Sequence, residues 1–149
     1  MIKGVFIINT TGKGRLVKFY EELPFEKQKE VLNKLYQECS KRGEYSCNFI
    51  EDHSIWPDSK IIFRQYATLY IVFVVDEAES ELGILDLIQV FVEVMDKAFE
   101  NVCELDLVFH PDKVYAILEE IIMGGMVVET NINEVWKLAD SIFKEERKN

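Results

Sequence analysis

Apolar positions along this chain follow two rhythms, short β-branched runs and helical spacing, and together they predict an α+β layer fold. Residues 2–8 are apolar and rich in β-branched side chains, as a buried strand requires. Turn formers fill residues 9–14 and residues 15–20 alternate, so the two runs predict a β-hairpin. After Pro24 the period changes. Phe25, Val31, Leu32, Leu35, Tyr36 and Cys39 recur near helical spacing with charges between them, an amphipathic helix that Gly43 ends or follows. Residues 48–51, 61–64 and 69–75 read as three more strands, with a polar loop at 52–59. The run 69–75 is almost wholly apolar, which predicts burial on both faces of a sheet.

Residues 82–99 depart from the ordinary pattern. Their polar positions (Asp86, Gln89, Glu93, Asp96 or Lys97, then Glu100) form one narrow stripe, and nearly everything else is apolar. A surface helix normally buries one face. This one, capped by Ser80, is expected to bury more than half its circumference, at the centre of the fold or against a second protein. A second protein would leave the isolated chain poorly soluble or self-associating. Further on, Pro111 and Asp112 start a helix over 111–123 that stops at Gly124 and Gly125. Asn131 and Glu134 open a last helix to about Phe143, leaving 144–149 as a frayed tail. The expectation is a single domain over 1–149, a five-stranded, mostly antiparallel sheet packed with helices.

Charge and composition narrow the function by exclusion. The balance is 17 basic against 27 acidic residues, a net charge of −10, which argues against nucleic-acid binding and against docking of the whole domain on anionic lipid. Locally, Lys13, Arg15 and Lys18 stand with no acid among them. Cys39, Cys47 and Cys103 are scattered, and the N-terminus reads as a strand, not a signal peptide, so the reducing cytosol is the expected compartment. No window approaches 18 uncharged apolar residues, so no transmembrane helix is expected.

Catalytic chemistry finds little to build on. His53 and His110 are the only histidines, and His53 falls in the polar loop. Cys103 with His110 is a nucleophile–base pairing that would make a hydrolase, but no oxyanion or orienting motif accompanies it, and Cys103 reads better as packing. The histidines and cysteines do not make a zinc pattern, and residues 10–14 lack phosphate-loop spacing. No cofactor, metal or catalytic residue is expected.

The stretches IKGVFIINTTGKGRLVKFY (2–20), RQYATLYIVFVVD (64–76), FVEVMDKAFENVCELDLVFHPDKVY (91–115) and MGGMVVET (123–130) resemble the small, or sigma, subunits of adaptor protein complexes. Within that family, ESELGILDLIQVFVE (79–93) looks most like the sigma subunit of adaptor protein complex 3. The resemblance implies a longin-like (SNARE-like) fold and no enzyme activity. It implies a large, delta-type subunit as direct partner, with mu and beta subunits completing a heterotetramer on the cytoplasmic face of Golgi, endosomal and vesicle membranes, serving transport to lysosomes or vacuoles. The alternative is a longin-domain regulator of membrane fusion.

The resemblance also implies a site for acidic dileucine sorting signals: an acid, three residues, leucine, then leucine or isoleucine. Its apolar pocket falls on Ala67, Leu69, Val92, Val102 and Leu107, with Asn101 at the rim and Arg15 facing the acid. Burying two leucine side chains is worth about 3–6 kcal/mol gross, less the cost of ordering the peptide, so weak binding is expected. Val92→Asp and Leu107→Ser are expected to abolish it and leave assembly intact.

Overall fold

Strand β5 (Leu69–Asp76) decides the architecture, because alternate residues of its apolar run enter two different cores. Leu69, Ile71, Phe73 and Val75 face one, and Tyr70, Val72 and Val74 face the other. This is the period-2 alternation of a central strand, as its composition predicts. In the computed structural model the chain is described over residues 1–42, 48–50, 54–127 and 129–148, the side chains of 142 and 145–148 excepted.

Around β5 lie β1 (Ile2–Asn9), β2 (Gly14–Phe19), β3 (Phe49–Ile50) and β4 (Ser59–Tyr66). The sheet order is β2-β1-β5-β4-β3, and every pairing is antiparallel. Helix α1 (Phe25–Ser40) covers one face, laying Val31, Leu35 and Cys39 against Phe6, Ile8, Val72 and Val74. Four helices cover the other face: α2 (Glu81–Phe99), α3 (Glu104–Phe109), α4 (Pro111–Ile121) and α5 (Ile132–Lys148). Among the described residues, no helix is long and apolar enough to cross a membrane.

The apolar excess of α2 is spent inside the chain. Ile84, Leu87, Ile88, Phe91, Val92, Val94 and Met95 are buried among the sheet, α4 and α5. Of its apolar set only Leu82 is exposed, at 72 %. The central-helix alternative is therefore the one realised. Within the chain, α2 buries most of its apolar set without a second protein.

Three further elements differ from the sequence reading. Gly124 and Gly125 do not simply stop a helix: α4 ends at Ile121, and the glycines form the two-residue turn of a hairpin between β6 (Ile122–Met123) and β7 (Met126–Val127). Both have positive φ, 59° and 86°, which this turn type demands and glycine supplies without strain. Gly125 also accepts the Ile2 N–H at 2.8 Å, and a Cβ there would lie 2.6 Å from the Ile2 carbonyl oxygen. Next, α3 is an additional helix. Finally, α5 continues to Lys148, past the expected end near Phe143. Gly43, Cys47, Glu51 and His53 lie outside the described residues.

Candidate functional site

At one end of the sheet the β1–β2 and β4–β5 turns meet, joined by the Thr10 N–H donating to the Thr68 carbonyl at 3.0 Å. The seven candidate residues all come from this end or from the helices beside it. Leu69 opens β5, Val92 projects from α2, Val102 follows α2, and Leu107 lies on α3. These four belong to one apolar cluster, and their exposures are 3, 4, 6 and 2 % respectively. They form a filled seam, not an open cavity.

Ala67 and Asn101 are exposed and mark the rim. Both are non-glycine residues with positive φ, 51° and 77°. Ala67 sits in the two-residue turn between Tyr66 and Leu69. The burial of Val92 and Leu107 adds a stability cost to the two substitutions expected to abolish binding. A carboxylate at position 92 would be buried in this seam, at a cost of several kcal/mol, and serine at 107 would leave a cavity.

Arg15 reaches the seam because of a bulge. Across the β1–β2 pair Ile7 faces Leu16, but Ile8 faces Gly14, so Arg15 is the extra residue without a partner. Strict alternation would place it opposite Leu16, on the α1 side of the sheet. Instead its Nε donates to Glu104 Oε1 on α3 at 2.8 Å, and the ion pair is three-quarters shielded from solvent. Asn9 Nδ2 donates to the same oxygen at 2.7 Å. These two bonds, Asn9 first and then Arg15, hold the Glu104 carboxyl below the ordinary glutamate range. Glu104 stands one turn before Leu107, so the charged pair flanks the apolar seam.

Sequence reading missed Glu104, Asn9, Tyr66 and Asp96. Asp96 accepts the Tyr66 hydroxyl at 3.1 Å and the Val102 N–H at 3.0 Å, fixing the strained turn at Glu100 and Asn101, where φ is 53° and 77°. Asp96 was visible only as one member of the polar stripe of residues 82–99, which did not single it out. No local pattern pointed to Glu104.

The Cys103–His110 pairing is not formed. The Cys103 N–H donates to Asp106 Oδ2 at 2.9 Å at the start of α3, and the His110 ring stacks on Phe99 at 6.2 Å. Cys39 is on the buried face of α1, and burial pushes its thiol up to about 12, which keeps it protonated and unreactive. Among the described residues no group of three or more histidine, cysteine or acidic side chains could hold a metal ion.

Comparison with known proteins agrees with this fold. The family model described as "Clathrin adaptor complex small chain" matches residues 1–145. The AP-3 complex subunit sigma-2 of Homo sapiens is 56 % identical over 137 residues, covering 91 % of this chain and 71 % of that protein. The AP-3 complex subunit sigma of Dictyostelium discoideum is 58 % identical over 135 residues, covering 88 % of this chain and 79 % of that one. Among structures, a chain of a homology model of the full-length AP-3 complex in a stretched open conformation superposes with a TM-score of 0.78 at 41 % identity, covering 99 % of this chain and 96 % of that chain. The α+β sheet with helices on both faces is thus the longin-like fold, and the chain belongs to the clathrin adaptor complex small chain family.

Proposed function

We propose that this chain is the sigma-type subunit of an AP-3 adaptor complex and that its seam beside Arg15 reads acidic dileucine signals on membrane cargo. Family membership alone makes it a non-enzymatic small subunit of a trafficking adaptor. The AP-3 type is favoured by the names of the relatives that match 91 % and 88 % of the chain. The direct partner on this reading is a delta-type large subunit, with beta and mu subunits completing the assembly. The complex would work on the cytoplasmic face of Golgi, endosomal and vesicle membranes, sending cargo to lysosomes or vacuoles.

What supports the site is that four buried aliphatic side chains of one cluster lie on or beside the elements at this end of the sheet, where a bulge directs Arg15 to Glu104 on α3. Two leucines need such apolar seats, and an acid upstream needs such a guanidinium. The seats are filled by the chain's own packing, so α3 or the β4–β5 turn must shift to admit a ligand. Helix α3 is the shorter commitment, with six residues and one buried side chain, Leu107.

Purification of the tagged chain from cytosol tests the assembly. Delta, beta and mu subunits should co-purify in equal amounts. Recovery with a fusion SNARE bundle, and without a large adaptor subunit, would favour a longin-type regulator instead.

A further inference from the structure

The Arg15 guanidinium carries five N–H donors, and Glu104 engages only Nε. The two Nη nitrogens have no side-chain partner among the described residues, and a quarter of the side chain is open to solvent. Glu104 is in turn fixed from behind. Asn9 is 6 % exposed, and its Oδ1 is fully used, accepting from Thr11 N–H at 3.0 Å, Thr11 Oγ1 at 2.9 Å and Lys13 N–H at 2.8 Å. Those bonds settle which way the amide points, and its Nδ2 is left to hold Glu104 Oε1.

From this geometry we infer that Asn9 and Glu104 are positioning residues that aim Arg15, so that its Nη edge meets the acidic residue of a sorting signal end-on. The inference rests on the dileucine reading above and extends it to what sets the preference for an acid. The β1–β2 turn locks Asn9, Asn9 locks Glu104, and Glu104 takes the side of the guanidinium that would otherwise swing. A flexible arginine would lose rotamer freedom on meeting the acid, whereas a held one has already lost it. Glu104 also cancels part of the positive charge, so recognition depends on the placement of the fork more than on net charge. A Glu104 that merely competed with the ligand would act in the opposite direction, and the two roles are separable.

The test uses the assembled complex and two synthetic peptides, one with acid, three residues and two leucines, the other with alanine in place of the acid. Wild-type complex should prefer the acidic peptide about fivefold, as a part-exposed ion pair allows. Glu104→Ala should bring that ratio to about one while leaving the affinity for the alanine peptide within about twofold, a selective effect that general damage to α3 would not produce. Glu104→Gln keeps the acceptor oxygen for Asn9 and Arg15 without the charge, and should retain the preference. A ratio that is kept or raised in Glu104→Ala overturns the inference, as does a loss in Glu104→Gln equal to that in Glu104→Ala. If neither peptide binds the wild-type complex, the dileucine reading itself fails and the inference with it. If both bind and Glu104→Ala leaves their ratio alone, only the inference fails.

Discussion

Tyr66 at the end of β4 donates its hydroxyl to Asp96 in the last turn of α2 at 3.1 Å, which ties the sheet to the segment that carries Asn101 and Val102. The same carboxylate holds the Val102 N–H. Tyr66→Phe removes one bond and should lower stability by about 1 kcal/mol. Asp96→Ala also strands the Val102 N–H and should cost about 1–3 kcal/mol. Urea titration of the purified variants reads both, and an Asp96→Ala loss no larger than that of Tyr66→Phe would deny the second bond its weight.

The central position of α2 makes a contrast within one helix. Phe91 is fully buried and Leu82 is exposed. Phe91→Ala should destabilise by about 3–5 kcal/mol. Leu82→Ser should stay within about 0.5 kcal/mol and leave the isolated chain as soluble as before. The same denaturation series checks both. A large loss for Leu82→Ser would return α2 to the role of an interface helix.

Glu104 gives the fold a pH dependence of known sign. Its carboxyl lies below the ordinary glutamate value of 4.5 because the folded state holds the charged form. Its contribution is therefore complete above about pH 4.5 and is lost as pH falls through the lowered folded value. The stability advantage of wild type over Glu104→Gln, measured by denaturation at pH 7 and again below pH 4, should shrink at the lower pH. An advantage that grows on acidification would contradict the ion pair.

Buried seam residues call for substitutions that keep their shape. Val92→Thr and Val102→Thr replace a methyl by a hydroxyl and keep the volume, at some cost in stability. Each should leave the chain assembled, as judged by co-purification, and weaken both acidic and acid-free dileucine peptides about tenfold. Unchanged affinity for both peptides would remove Val92 and Val102 from the site.

Much of the fold was legible because single elements carry their own periodicity. Strand β5 announced two-sided burial in seven consecutive apolar residues, and its partners followed from alternation. Helix α3 was not legible: Glu104–Phe109 is too short for a helical period, and Leu105, Val108 and Phe109 are exposed. The glycine pair fitted both a helix stop and a hairpin turn, and only the pairing of Met123 with Met126 decides between them. For the site, the aliphatic residues came through the family resemblance. The Arg15–Glu104 pair did not, because a one-residue bulge has no sequence mark and the two partners lie 89 positions apart.

The most direct measurement is calorimetric titration of the assembled complex with an acidic dileucine peptide and with the same peptide carrying serine at both leucine positions. The account predicts micromolar-range binding of the first and none of the second, since the leucines supply most of the contact energy. Equal binding of the two peptides, or no binding of either, would contradict it.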